Sequence, residues 1–335
     1  WSPTAEYAFL NLADETIGIT WPIPLEAAEL SEKDKNHPRL ADVTPIPPKK
    51  TLVLGANGQL GRALRDLWGD RPDVEFATRT DIDLSDPNSL PGARRWRDYD
   101  TIVNAAAYTA VDKAETPEGR TAAWTINATA VAALARIATE NSITLVHISS
   151  DYVYDGTKTG EHTETDAISP LGVYGQTKAA GDTAAATTPQ HYIIRTSWVI
   201  GDGNNFVRTM QNLAQRGIDP RVVDDQTGRL TFTPTLADGI HHLLTTHAPH
   251  GTYNLTGTGQ PTTWADIART VYTLTGHDPA RITGVTTTDY YATAEHATAP
   301  RPHNSTLDTT KIQNTGYTPT DAIASLRSLL ADTAR

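Results

Sequence analysis

A glycine-rich turn between an apolar run and a helix-forming stretch constrains this sequence more than any other feature. The turn reads Gly55-Ala56-Asn57-Gly58-Gln59-Leu60-Gly61 and directly follows a predicted strand at residues 51–54. Glycines at this spacing permit a tight turn, a close approach of backbone to a pyrophosphate, and close packing of the following helix on a sheet. The turn therefore predicts a dinucleotide site at the N-terminus of a helix, predicted at residues 59–67.

Short β-branched runs alternate with Ala-rich stretches after residue 50. Further strands are predicted at residues 74–77, 101–103, 143–148 and 192–196, and residues 114–140 are long enough for one crossover helix. This alternation is typical of an α/β protein with a Rossmann-type doubly wound parallel sheet. We expect an NADPH-binding Rossmann domain at residues 49–200. Residues 201–335, with helices at 206–216 and 264–274, predict a smaller C-terminal α/β substrate lobe, some of whose segments return to the sheet.

The composition excludes several function classes. A net charge of -11 argues against general binding to nucleic acid, and the absence of cysteine excludes a thiolate zinc site or a cysteine nucleophile. No run approaches the roughly 18 apolar residues of a membrane span, so we expect a cytoplasmic protein without membrane contact. The histidines lack recognisable ligand spacing, so no metal is expected.

The end of the second predicted strand bears on cofactor choice. NAD-selective folds place an acidic residue there to bind the ribose hydroxyls, but this chain has Arg79 at that place. A cation could pair with a 2'-phosphate, which favours NADPH. NADH remains the alternative because Asp81 lies two residues later. Asp83 and Leu84 are expected near the adenine edge.

Proton transfer is predicted for three residues. Tyr174 and Lys178 are four apart, so they share one face of a helix that Pro170 could start. A phenol with an ordinary pKa near 10 donates its proton well when a neighbouring cation stabilises the phenolate, and Lys178 with an oxidised nicotinamide would supply that charge. Ser150, after the fourth predicted strand, is chosen as the hydroxyl that holds the substrate oxygen.

Several stretches carry a family resemblance besides the glycine turn and the Tyr174/Lys178 pair. They are residues 104–115, 149–156, 195–198, 203–206, 225–228, 262–264 and 301–305. With them the chain, from about Lys50 to near its C-terminus, resembles the extended short-chain dehydrogenase/reductase family, and within it the dTDP-4-dehydrorhamnose reductases. Ser150 stands where that family usually has Thr.

The resemblance implies roles for further residues. Ala105, Ala106 and Ala107 would line the cofactor. Asn127 is also counted among the cofactor-binding residues and would sit behind the active site. Thr109, Val111, Tyr152 and Trp198 would face the sugar and its diphosphate, with core packing as the alternative for Trp198. Arg301 could offset diphosphate charge through a bidentate contact.

The implied activity is hydride transfer from NADPH to C4 of dTDP-4-dehydro-β-L-rhamnose, giving dTDP-β-L-rhamnose for cell-surface polysaccharide. The related dehydratases carry an Asp-Glu pair after the hydroxyl residue, whereas Asp151 is followed by Tyr152 here, which argues against dehydration. Two alternatives remain open. One is an NADP-binding regulatory subunit without catalysis, like that of methionine adenosyltransferase. The other is a nucleotide-sugar 4-epimerase.

Residues 1–48 differ from the rest and end in a Pro-rich linker. Trp21-Pro22, residues 30–34 and residues 38–40 resemble the C-terminal tail of dTDP-4-dehydrorhamnose 3,5-epimerase. Because the chain opens at Trp1 and its single methionine is Met210, we expect a piece of an epimerase-reductase fusion whose epimerase domain is missing. An unrelated extension is the alternative. The sequence leaves monomer and homodimer equally open.

Overall fold

The computed structural model describes residues 9–43, 45, 47–69, 71–294 and 298–333. The chain divides into two compact units, Trp1–Pro48 and Lys49–Arg335. The first unit contains one short helix, α1 (Glu32–Lys35), whose N-cap Ser31 accepts a hydrogen bond from the Asp34 amide. Within the same unit the Trp21 indole donates to the Leu12 carbonyl.

The second unit contains twelve described strands. They are β1 (Lys50–Leu54), β2 (Val74–Ala77), β3 (Tyr99–Asn104), β4 (Thr144–Ser150), β5 (His191–Thr196), β6 (Val199–Ile200), β7 (Arg221–Val223), β8 (Thr227–Gly228), β9 (Thr231–Phe232), β10 (Gly251–Asn254), β11 (Thr262–Thr263) and β12 (Thr283–Val285). Six of them form one sheet in the order β10-β5-β4-β3-β1-β2, and every pairing is parallel. The predicted doubly wound parallel sheet is confirmed.

Helices flank this sheet and build the C-terminal part of the unit. They are α2 (Gln59–Trp68), α3 (Leu90–Ala93), α4 (Pro117–Trp124), α5 (Ala130–Asn141), α6 (Val173–Ala185), α7 (Phe206–Gln215), α8 (Thr233–Thr245), α9 (Trp264–Leu274), α10 (Thr287–Tyr291), α11 (Thr310–Gln313) and α12 (Ala322–Thr333). None of the helices in the described part of the chain combines the length and apolar character that crossing a membrane requires.

Two apolar clusters cover the faces of the sheet. One includes Leu52, Leu134 and Ile193, and the other includes Val53, Leu64 and Ile240. Successive residues of β1 thus point to opposite faces, and both faces are buried, as a parallel sheet requires.

A third cluster joins the elements beyond β5, among them Val207, Val271 and Leu326. The short strand pairs β6–β9, β7–β12 and β8–β11 belong to this part of the chain. Strand β10 instead belongs to the main sheet, because it pairs with β5. Helix α8 packs on one face of that sheet, where Leu236 and Ile240 join the second apolar cluster.

Two local expectations needed correction. The stretch at 114–140 is not one regular helix, because a π-helical turn (Thr125–Thr129) joins α4 to α5. Pro170 does not start α6, which begins at Val173 with Gly172 as its N-cap. Both differences lie beside the candidate site, since Asn127 is in the π turn and Tyr174 is in the first turn of α6.

Candidate active site

The glycine turn after β1 brings two loops together at the carboxyl edge of the sheet. Gly55 has a φ of +80°, which favours glycine, and a Cβ there would lie 2.8 Å from the Ala106 nitrogen in the loop after β3. A Cβ at Gly61 would collide with the Gly55 carbonyl oxygen. Both positions therefore have room for backbone atoms and none for a side chain. The turn from Gly55 to Gly61 forms a backbone cradle at the N-terminus of α2, an arrangement that binds phosphates.

This cradle lies where the strand order of the sheet reverses. Strand β2 pairs with one side of β1, and β3 pairs with the other side. Ligands of open α/β sheets bind outside the carboxyl ends of the strands at such a reversal, because the flanking loops diverge there and leave a crevice. The topology and the glycine turn therefore point to the same place.

A cavity of about 900 Å³ occupies this edge of the sheet. The predicted site residues that line it are Gly55, Asn57, Gly58, Gln59, Leu60, Arg79, Asp83, Leu84, Ala105, Ala106, Ala107, Thr109, Val111, Ser150, Tyr152, Tyr174, Lys178 and Trp198. One cavity thus contains the phosphate-binding turn and the three residues predicted to transfer or direct protons.

Two elements position the proton-transfer residues. Ser150 ends β4, while Tyr174 and Lys178 lie one turn apart on α6. Helix α6 packs closely on the segment after β4, because a Cβ at Gly175 would collide with the Tyr152 carbonyl oxygen. A glycine next to Tyr174 therefore lets the phenol approach the end of β4.

Lys178 is buried and held by the backbone. Its Nζ donates to the Ile148 carbonyl oxygen at 2.5 Å. Burial lowers the Lys178 pKa to about 8, and the negative charge of Asp182 opposes that shift. Asp182 is itself buried and pairs with Arg195 at 3.0 Å. An ammonium group is thus kept at the base of the cavity at neutral pH.

Burial raises the pKa of the Tyr174 phenol to about 12, and the nearby Asp151 carboxyl adds to the increase. The Ser150 hydroxyl acts in the opposite direction. The Tyr152 ring meets the Tyr174 ring edge-on, with centroids 5.4 Å apart. The protein on its own therefore keeps Tyr174 as a neutral phenol, the form that can donate a proton.

Asp151 is a site residue that the sequence reasoning missed as a participant. Its carboxyl is 2% exposed and lines the cavity, and its Oδ1 accepts from the Ser150 hydroxyl at 3.0 Å. Burial raises the Asp151 pKa to about 6, while the hydroxyls of Ser305 and Ser150 oppose the increase. Its position directly after the hydroxyl residue was the available signal.

The loop after β2 distinguishes the two residues weighed for cofactor choice. The Arg79 side chain is 75% exposed, lines the cavity, and lies 3.3 Å from Asp83 through its Nε. Asp81 instead closes a local turn, because its Oδ2 accepts from the Thr78 amide at 2.8 Å and the Thr78 hydroxyl at 2.6 Å. The cation is accessible at this edge, whereas the carboxylate is used by its own loop.

An aromatic wall closes the part of the cavity beyond β5. Trp198 has a φ of +47° and stacks on Trp264 with ring centroids 3.8 Å apart. A Cβ at Gly228 would lie 2.7 Å from the Trp198 ring. Trp198 packs against the C-terminal cluster and also lines the cavity, so core packing does not exclude a contact with the sugar, which stays a prediction. Trp264 and Phe206, which also line the cavity, were not predicted as site residues.

Three predicted site residues are absent from the cavity lining. Gly61 acts through helix packing. Asn127 is buried behind the cavity lining, where its amide bonds the Tyr108 backbone and the Thr177 hydroxyl. In Arg301, Nη2 donates to both carboxylate oxygens of Asp112, at 2.9 and 2.8 Å, and Nη1 donates to the Ala299 carbonyl oxygen, so the guanidinium is not free to bind a diphosphate in this arrangement.

Comparison with known proteins connects this site to a family. The family model described as the RmlD substrate binding domain matches residues 49–334. A dTDP-4-dehydrorhamnose reductase of Salmonella typhimurium is 44% identical over 282 residues, covering 78% of this chain and 90% of the relative. One from Aggregatibacter actinomycetemcomitans is 35% identical over 298 residues, covering 84% of this chain and 98% of the relative.

A solved structure of a relative has the same fold and is a complex with a cofactor. The dTDP-4-dehydrorhamnose reductase of Bacillus anthracis, in complex with NADP, is 27% identical with a TM-score of 0.76, covering 86% of this chain and 100% of that one. The sheet order, the glycine cradle and the Ser150, Tyr174 and Lys178 cluster agree with this relationship. From residue 49 onward, the chain belongs to the RmlD substrate binding domain family, the family of the dTDP-4-dehydrorhamnose reductases.

Proposed function

We propose that this protein reduces the C4 ketone of dTDP-4-dehydro-β-L-rhamnose with NADPH, giving dTDP-β-L-rhamnose. The observation that carries the proposal is the shared cavity, which places a phosphate-binding glycine turn and the Ser150, Tyr174 and Lys178 side chains around one space. Relatives named as dTDP-4-dehydrorhamnose reductases, similar over most of the chain, support the substrate.

The residues present fit a dinucleotide. The cradle of Gly55, Gly58 and Gly61 would hold the pyrophosphate, and the exposed Arg79 guanidinium would pair with a 2'-phosphate. Ala105, Ala106 and Ala107, in the loop after β3, would lie along the cofactor. When bound, the reduced nicotinamide supplies the hydride for C4.

The protein's own residues handle the proton. Tyr174, kept as a phenol by burial, donates its proton to the C4 oxygen as that oxygen gains negative charge. The Ser150 hydroxyl can turn from Asp151 towards the same oxygen. The Lys178 ammonium, fixed by the Ile148 carbonyl, stabilises the resulting phenolate electrostatically. General acid catalysis of this kind contributes about 10²- to 10⁴-fold in rate.

The test is absorbance at 340 nm after mixing the purified protein with NADPH and enzymatically prepared dTDP-4-dehydrorhamnose. NADPH loss with formation of dTDP-rhamnose is expected. Because a relative from Streptomyces niveus, 40% identical over 69% of this chain, is named dTDP-4-keto-6-deoxy-D-glucose reductase, that ketone is run in parallel. If the protein binds NADPH but oxidises it with neither ketone, the result would favour the regulatory-subunit alternative. NAD retained by the isolated protein would favour the epimerase alternative.

The relation of residues 1–48 to a 3,5-epimerase and a cytoplasmic location both remain predictions.

A further inference from the structure

The Asp182 carboxyl is buried directly behind the proton-transfer residues. It lies one helical turn after Lys178 on α6, so the two side chains share a face of the helix. Asp182 is 3% exposed and Lys178 is 1% exposed, and of the two only Lys178 lines the cavity. A Cβ at Gly181 would lie 3.1 Å from His147 Nε2, so α6 packs closely on β4 at this point. Two groups of opposite charge are thus enclosed between a helix and the sheet.

Arg195, on β5, holds the Asp182 carboxyl in place. Its Nε donates to Asp182 Oδ2 at 3.0 Å, and its Nη1 donates to the Tyr154 hydroxyl at 2.7 Å and the Glu164 carbonyl oxygen at 3.1 Å. Burial raises the Asp182 pKa, while Arg195 and the Ser149 hydroxyl oppose that increase. The guanidinium is charged at every accessible pH, so it favours the ionised form of its buried partner.

Two buried cations therefore depend on one carboxylate. Without it, Lys178 and Arg195 would have no counter-charge, and an uncompensated buried charge is strongly unfavourable. Arg195 does not lose its proton, so Lys178 is the group that would become neutral. His147, on β4, cannot take the place of the carboxylate, because burial holds its pKa well below the ordinary value and leaves the ring neutral. Asp151, after β4, faces Tyr174 and the cavity instead.

We propose that Asp182 is a positioning residue for the proton transfer: its carboxylate, fixed by Arg195, keeps Lys178 in the ammonium form. The charge relation itself needs no ligand, but its consequence for turnover rests on the proposed function. Tyr174 becomes a phenolate when it donates its proton, and a neutral amine at Lys178 would stabilise that phenolate far less than an ammonium does. Asp182 thus affects the reaction through Lys178.

The first readout is the Lys178 pKa itself, measured by NMR on the ligand-free full chain with isotope-labelled lysine. The loss of one signal in Lys178→Met assigns the resonance. The wild-type group should titrate with a pKa of about 8. Asp182→Asn should lower this pKa by about 1–3 units, the effect of removing a nearby opposite charge.

Two further variants separate charge from packing. Ser149→Ala is the matched control, because it removes a neutral partner of Asp182 and leaves the carboxylate. Asp182→Glu restores a carboxylate. Both should keep the Lys178 pKa within about half a unit of the wild type. If Asp182 only supported the packing, its loss would admit water and raise the Lys178 pKa towards 10.5, the opposite direction.

The second readout is the pH dependence of kcat for the reduction of dTDP-4-dehydrorhamnose with NADPH. Turnover requires the ammonium form, so kcat should fall as the pH rises through the Lys178 pKa. In Asp182→Asn this fall should begin at lower pH. At pH 7.5 the variant should be at least about threefold slower than the wild type, and the difference should shrink at pH 6.

A Lys178 pKa that is unchanged or raised in Asp182→Asn, with folding checked by circular dichroism and NADPH affinity, would overturn the inference. If that variant does not fold, the wild type decides. An Asp182 carboxylate and a Lys178 ammonium together at pH 7, both read by NMR, support the inference, and a protonated Asp182 or a neutral Lys178 contradicts it. A wild type that does not reduce the ketone would refute the proposed function and leave the NMR result standing.

Discussion

Replacing Lys178 by Met should change the stability of the protein in a way that depends on pH. The Lys178 side chain is 1% exposed, and burial lowers its pKa from 10.5 to about 8. The ionisable groups that face it are Asp182, which opposes the shift, and His147, whose own pKa is held well below its usual range by burial. Met has a similar length and no charge, so the variant removes the penalty for burying the ammonium.

The magnitude follows from the two pKa values. Between pH 8 and 10.5 the unfolded chain binds more protons at Lys178 than the folded chain, so wild-type stability rises with pH in that window. The lowered pKa of Lys178 destabilises the folded chain by about 3 kcal/mol at pH 7, where the buried group is an ammonium, and by about 1 kcal/mol at pH 9.5, where it is mostly a neutral amine. The Ile148 carbonyl loses its donor in the variant, at about 1–3 kcal/mol, but this loss is the same at both pH values.

The stability of the wild type relative to Lys178→Met should therefore rise by about 2 kcal/mol between pH 7 and pH 9.5. Urea unfolding of both proteins without ligands, at the two pH values, measures this change. Lys178→Arg is the matched control: arginine does not titrate in this range either, so the stability of the wild type relative to Lys178→Arg should rise by the same amount. A difference between wild type and Lys178→Met that does not vary with pH would refute the reasoning, because it would show that burial leaves the Lys178 pKa near its ordinary value.

Three further substitutions test separate parts of the site. Tyr174→Phe should lower kcat by about 10²- to 10⁴-fold while NADPH affinity, measured by fluorescence titration, stays within about threefold; unchanged turnover would remove Tyr174 as the acid. Gly61→Ala should abolish NADPH binding or folding, because its Cβ would collide with the Gly55 carbonyl oxygen; normal affinity in a folded variant would show that α2 does not need this close approach. Arg79→Ala should weaken NADPH by about tenfold and leave NADH within about twofold, judged from KM values; equal losses for both cofactors would exclude pairing of Arg79 with a 2'-phosphate.

Much of the fold follows from local patterns in the sequence. The strand predicted at 74–77 and the helix predicted at 264–274 coincide with β2 and α9, and the other predicted strands of the sheet differ by a few residues at their ends. Such elements are recognisable because β-branched runs favour the strand conformation locally. The period of the apolar residues indicates which face of a helix or strand is buried. The glycine turn is recognisable for the same reason, because strand β1, the turn and helix α2 follow one another directly in the sequence.

The π turn and the true start of α6 were not recognisable in this way. Residues 114–140 contain few helix breakers, so nothing local marks the turn that carries Asn127. Its amide bonds Tyr108 and Thr177, which are distant in sequence, and these contacts exist only after folding.

The sequence by itself determined the parallel sheet, the phosphate turn and the helical pairing of Tyr174 with Lys178, because each depends on spacing along a single strand, turn or helix. Only the tertiary structure decided which partners each side chain meets. It turned Arg301 towards Asp112, occupied Asp81 with its own loop, and buried the Asp151 side chain beside the Ser150 hydroxyl. Those outcomes depend on burial and on competition among distant groups for hydrogen bonds, and neither is encoded in residue spacing.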